Sequence, residues 1–228
     1  MARKSAGNDR ERASSAPMSR KAFHLEWKNS SQKVAFMAFE QHDFLFLMGV
    51  AGTAKTHLAV AFACSEILSK KKKKIILSRP IVEAGEKLGF LPGTFEEKIN
   101  PYLMPIFDCL DTIVGRDTME RNKINQSLEI VPIAYMRGRT FHDSVVILDE
   151  AQNSTEEQIK LAMTRLGLNS KMVVTGDPTQ SDLKGDVALP RVVEAMKTVQ
   201  GISVVEFNES HIVRHPLVAD ILAAWPSK

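Results

Sequence analysis

The chain has 228 residues, 44% of them apolar, enough to bury a core without disulfide or metal staples. Its longest apolar run, Phe44 to Gly52, is far shorter than the ~18 residues that cross a bilayer, so no membrane contact is expected. The formal charge of +3 is uneven, because residues 1–21 hold six basic and two acidic residues and the remainder is close to neutral. That leader has no apolar h-region and is not a secretory signal. Residues 1–22 are expected to form a disordered basic tail, able to attract phosphates in a salt-sensitive way. Cys64 and Cys109 lack ligand spacing and read as reduced core residues of a cytoplasmic protein.

Asn29-Ser30-Ser31 offers capping side chains ahead of a helix carrying Val34, Ala35, Ala38 and Phe39. Asp43 to Met48 is a continuous apolar run that stops at Gly49, the pattern of a strand buried on both faces. A Gly/Ala loop follows, and then a helix from about Lys55 to Ser69. Lys70 to Lys74 complement the C-terminal dipole of that helix; a nucleic-acid patch is the other reading. Ile75–Leu77 is a strand ended by Pro80. Residues 80–94 are irregular and punctuated by Pro and Gly, and a loop this long in a compact domain is usually functional. Helical periodicity covers Phe95 to Ile113, with a break expected at Pro101. A polar stretch then leads to a strand at Leu128–Val131.

Val145–Leu148 is the clearest buried strand, and Asp149-Glu150 ends it. The helix from Ser154 to about Leu166 is predicted to open with a capping box of Ser154 and Glu157. A strand at Lys171–Thr175, a helix near Leu189–Val199, a strand near Ile202–Phe207 and a helix after Pro216 complete the chain. Apolar strands alternating with helices predict an α/β fold with a mostly parallel sheet covered on both faces. Ligands of such sheets bind at the carboxyl ends of the strands, where the unusual polar tetrads of this sequence fall.

Gly49-Val50-Ala51-Gly52-Thr53-Ala54-Lys55-Thr56 matches a phosphate-binding P-loop at every fixed position except Ala54, where glycine is usual. Gly49 and Gly52 let the backbone turn N–H groups around phosphate oxygens. Lys55 brings a charge to the β- and γ-phosphates, and Thr56 a hydroxyl to Mg²⁺. At position 54, alanine is the smallest side chain that could replace the usual glycine and would be tolerated there if φ is negative. Asp149, on a strand expected to lie next to the P-loop strand, would orient Mg²⁺. Glu150 could take a proton from the water attacking the γ-phosphate, which favours ATP hydrolysis over phosphoryl transfer to a metabolite. Gln180, closing Thr175-Gly176-Asp177-Pro178-Thr179-Gln180, would report loss of the γ-phosphate. Arg214 is a candidate for stabilising the transferred phosphoryl charge, with Arg137, Arg139 and Arg165 as alternatives from a neighbouring subunit. His211 and His215 lack a third ligand, so zinc is not expected.

Together with Arg79–Gly93, Tyr135–Thr140, Ile147–Asn153 and Val213–Val218, these motifs resemble the PhoH family of phosphate-starvation-inducible ATPases. The resemblance covers about Asn29 to Trp225, and the versions with Ala-Lys-Thr in the loop are similar to short phage-borne members. It implies a single P-loop NTPase domain over residues 23–228, with a RecA-like sheet similar to the first motor lobe of superfamily-one helicases. It also implies that Gln32 reads adenine. Family members resemble hexameric rings, so a homo-oligomer, most simply a hexamer, is expected. One lobe lines only half of a two-lobed nucleotide cleft, which gives the same expectation from mechanism. No fused ribonuclease or RNA-binding domain is expected. RNA or single-stranded DNA is the expected partner; an ATP-dependent switch acting on a protein partner is the alternative. Lys87 and Arg79 are expected to face a nucleic-acid path or a subunit interface.

Overall fold

A computed structural model describes residues 26–80, 95–115, 118–183 and 187–213. The expectations for the tail at 1–22, for Lys87 and its loop, and for Arg214 with the helix after Pro216 lie outside these residues.

Six strands form one sheet in the order β3-β2-β4-β5-β1-β6, and every pairing in it is parallel. They are β1 (Phe44–Gly49), β2 (Lys74–Ser78), β3 (Leu128–Ile130), β4 (Ser144–Leu148), β5 (Lys171–Gly176) and β6 (Ile202–Phe207). The central strands are buried on both faces because helices cover both, as their unbroken apolar runs require. One face carries α1 (Ser30–Gln41), α2 (Lys55–Leu68), α3 (Phe95–Val114) and α4 (Thr118–Ser127). The other carries α5 (Glu156–Met163) and α6 (Ala188–Met196), with a 3-10 turn at Ile133–Met136. Trp27, Phe36, Phe39 and Phe62 cluster between α1 and α2, with ring centroids 5.0 to 6.5 Å apart.

Four local expectations are corrected. The strand carrying Asp149 does not neighbour the P-loop strand: β5 lies between β4 and β1, and its Thr175 bridges the gap. The helix at 95–114 runs through Pro101 without a break. Its Leu103, Ile106, Leu110 and Val114 are buried against the sheet-side cluster, and that packing outweighs the missing N–H. The polar stretch after it contains a helix, α4, anchored by one buried apolar side chain, Ile124. Full burial of such a side chain contributes about 1.5–3 kcal/mol. The capping box of α5 is shifted by one residue: Thr155 accepts from the Gln158 N–H, and Gln158 answers to the Thr155 N–H. The first cap is as predicted, with the Asn29 side chain accepting from the Gln32 N–H at 3.0 Å.

Candidate functional site

β1 ends at Gly49, whose φ of 143° and close approach to β6 both exclude a side chain; a Cβ there would meet the Phe207 carbonyl. The loop then turns through Gly52 at φ 86° into Ala54 at φ 67°. The negative φ at which alanine would be tolerated without strain is thus not the one adopted. A left-handed alanine is strained by roughly 1–2 kcal/mol. Its neighbours hold it there: Leu58 N–H donates to the Ala54 carbonyl at 2.9 Å, and the buried Thr53 hydroxyl donates to the Val50 carbonyl at 2.9 Å. The Lys55 ammonium folds over the loop and donates to the Gly49 and Val50 carbonyls at 2.7 and 2.9 Å.

Asp149 is fully buried at the tip of β4. Its Oδ1 accepts from Thr56 at 2.7 Å and from Thr175 at 2.5 Å. Its Oδ2 is buried with no hydrogen bond, and Arg79 Nη1 stands 3.6 Å away. A buried carboxylate oxygen without a donor is costly unless a cation completes it. This orphaned oxygen beside the Thr56 hydroxyl fits a magnesium ion carried in on phosphates. Among the described residues no group of three His, Cys, Asp or Glu side chains could hold a metal by itself. A phosphate-borne ion needs no such cluster.

Glu150 follows in a left-handed conformation, φ 55°, with its side chain partly exposed. Its Oε2 accepts from Gln152 Nε2 at 2.5 Å, and its Oε1 lies 3.6 Å from Arg79 Nη2. Gln152 is itself buried, and its Oε1 accepts the Asp177 N–H at 3.0 Å. One amide thus joins Glu150 to the turn after β5. In that turn Asp177 Oδ1 accepts from the Thr179 N–H and hydroxyl at 2.9 and 2.6 Å. Gln180 ends the turn, exposed, with its N–H bonded to the Asp177 carbonyl.

Gln32 is buried in the first turn of α1, its Oε1 accepting the Lys28 N–H at 2.9 Å. Beside it, the Ser31 hydroxyl meets His211 Nε2 at 2.8 Å. The Asn208 N–H donates to His211 Nδ1, so Nε2 carries the proton. Two residues on, Val213 N–H donates to the Gly52 carbonyl at 3.0 Å, which ties this segment to the P-loop. A cavity of about 790 Å³ lies on the α6 side of the loop, lined by Val50, Thr179, Val193 and Phe207 among others. Lys55 and Asp149 are not among its walls.

The structure therefore brings together Gly49–Thr56, Asp149 and Glu150. It does not bring the alternative arginines there. Arg139 pairs with Glu129 at 2.6 Å and covers the Phe141 ring. Arg165 donates to the Leu161 and Arg139 carbonyls. Both lie by the amino ends of the strands, opposite the P-loop. Arg137 is exposed. Arg79, expected on a nucleic-acid path or an interface, has its guanidinium beside the carboxylate pair. Sequence reasoning missed this role, and those of Thr175 and Gln152. For Gln152 a signal existed: a long amide two residues beyond a candidate base.

A family profile described as PhoH-like protein matches residues 24–226. The chain is 48% identical over 200 residues to a PhoH-like protein of Bacillus subtilis (strain 168), covering 87% of this chain and 63% of that one. It is 40% identical over 203 residues to Protein PhoH of Escherichia coli (strain K12), covering 87% and 57%. The chain therefore spans about three fifths of the length of these relatives. In fold it is similar to the large terminase of a thermophilic bacteriophage, with a TM-score of 0.55 at 9% identity over 87% of this chain and 50% of that one. That likeness is one of α/β fold, and with a family match across nearly its whole length, the chain belongs to the PhoH-like protein family.

Proposed function

We propose that this chain is a Mg²⁺-dependent ATPase whose turnover is coupled to RNA or single-stranded DNA in a homo-oligomeric ring. The observation that carries the hydrolytic part is the Thr56–Asp149–Thr175 cluster, with its orphaned Asp149 oxygen next to Glu150. In this reading the N–H groups of residues 49–54 and the amino end of α2 receive the phosphates. Lys55 moves from the Gly49 and Val50 carbonyls to the terminal phosphates. Thr56 and Asp149 hold magnesium, which supplies charge neutralisation on the phosphate oxygens. Glu150, aimed by Gln152, takes the proton of the attacking water. Gln180 senses the γ-phosphate, and Gln32 meets the adenine.

The ring is inferred from the single-lobed fold. One lobe would line a single face of the nucleotide, and a second copy would supply the other face and an arginine. Of Arg137, Arg139 and Arg165, the exposed Arg137 is the candidate for that arginine, while Arg214 would act within its own chain. Six copies and a cytoplasmic location complete the reading; among the described residues no helix is long and apolar enough to cross a membrane.

The test is ATP turnover with and without single-stranded RNA and DNA, run beside a mass measurement of the assembly. A several-fold stimulation by one nucleic acid in an oligomer is expected. Steady ATPase activity that ignores both would instead favour a switch acting on a protein partner.

A further inference from the structure

Arg79 closes the carboxyl end of β2, one strand away from Asp149. Its guanidinium spans two acids at once: Nη1 is 3.6 Å from Asp149 Oδ2 and Nη2 is 3.6 Å from Glu150 Oε1. Both gaps exceed hydrogen-bond length, so the fork offsets part of the pair's charge without clamping it. Its one hydrogen bond among the described residues is to the Tyr102 carbonyl of α3, at 3.2 Å. The side chain is 22% exposed and Asp149 is fully buried, so water screens this contact weakly.

The acid it faces is the one argued above to accept magnesium. Oδ1 already takes two hydroxyls, so Oδ2 is the oxygen left for a cation. Arg79 is a cation already standing beside it. A guanidinium and a divalent ion at one buried oxygen repel each other strongly.

We propose that Arg79 is a resident counter-ion for the Asp149–Glu150 pair, and that it must withdraw from Asp149 when the divalent ion enters with the nucleotide. Arg79 is a positioning residue in this scheme: its guanidinium stands beside Asp149 Oδ2 and Glu150 Oε1 until the metal replaces it at Asp149. The proposal rests on the ATPase reading of the site.

The experiment measures Mn²⁺ affinity by electron paramagnetic resonance, with ADP saturating, in the wild type, Arg79→Ala, Arg79→Lys and Asp149→Asn. Metal-free ADP affinity and thermal unfolding are followed in parallel. With the competitor removed, Arg79→Ala should bind Mn²⁺ about 3- to 10-fold more tightly. Arg79→Lys should restore near wild-type affinity, because an ammonium also competes. Asp149→Asn should weaken the metal and leave metal-free ADP binding in place. Unchanged or weaker Mn²⁺ binding by a folded Arg79→Ala protein overturns the proposal and leaves the ATPase reading standing. If Arg79→Ala does not fold, Arg79→Lys decides alone, since affinity weakened well below wild type refutes simple competition. A wild type that binds no ADP with or without metal overturns the ATPase reading, and the proposal with it.

Discussion

At the scale of single residues, the P-loop carries one strained position, Ala54, and one charged side chain, Lys55. Lys55 is the loop's own charge, and its carbonyl contacts are what phosphate oxygens would replace. Lys55→Ala should abolish measurable ATP binding by calorimetry; undiminished affinity would remove the P-loop reading. Glu150→Gln keeps the shape of the side chain and loses its basicity. ATP should still bind, while turnover falls by ~10²–10⁴. Normal turnover by Glu150→Gln, with loss in Asp149→Asn, would place the base elsewhere. Ala54 sits at φ 67°, where a Cβ is disfavoured and glycine is not. Ala54→Gly relieves that strain but adds freedom to the unfolded chain, so the expected net gain is about 0.5–1 kcal/mol. In a chain of this size that raises the thermal midpoint by roughly 2 °C, which calorimetry resolves. A lower midpoint would mean that the loop holds alanine without strain.

At the scale of elements, what the sequence disclosed tracked the strength of its periodic signal. β1, β4 and β5 are unbroken apolar runs and lie where those runs predicted, within a residue or so. The P-loop was legible because its glycines and lysine are fixed by phosphate geometry, and Asp149-Glu150 because the strand before it is unmistakable. The φ of Ala54 was not legible, since an alanine carries no mark of its backbone angle. Strand order was not legible either, because no local pattern says that β5 inserts between β4 and β1. α4 escaped notice because one buried Ile124 makes no stripe. Arg79 escaped because its partners lie far along the chain, at 149 and 150.

His57, on α2 next to Thr56, adds a dependence on pH. Burial, helped by the positive charge of Lys28, lowers its pKa below the usual 6.5. The unfolded chain therefore takes up the proton first as pH falls. Stability from this group is complete above about pH 6.5 and declines as the pH drops through that value toward the folded pKa. Denaturant midpoints should fall between about pH 7.5 and about pH 5.5, and His57→Gln should flatten part of that slope. An equally steep slope in the variant would assign the effect to other groups.

Across the whole molecule, charge is sorted between the two ends of the sheet. The carboxyl ends hold the P-loop and the acid pair. At the amino ends four of the five side chains of the lysine run, Lys71 to Lys74, have partners within the chain. Lys71 pairs with Glu40 and Glu66, Lys72 with Asn169, Lys73 with Asp143, and Lys74 with Glu129. Exposed pairs of this kind add little stability each, but they occupy the cations. Arg139 and Arg165 sit among them and are held by Glu129 and by backbone carbonyls. Of Arg137, Arg139 and Arg165, the candidates to complete a neighbour's site, Arg137 is the exposed one, beside Gly138 at φ 78°. An arginine supplied in trans is worth roughly 10³–10⁵ in rate. Arg137→Ala should therefore cut turnover far more than nucleotide affinity, whereas Arg139→Ala should chiefly lower stability. Glu150→Gln and Arg137→Ala are each expected to be nearly inactive alone, for different reasons. In a mixed ring some interfaces pair an intact Glu150 with an intact Arg137, so mixing should return a fraction of the activity, greatest near equal proportions. Flat, additive rates at every ratio, from a protein that sediments as a monomer during turnover, would end the shared-site scheme and return the search for the missing charge to the chain itself.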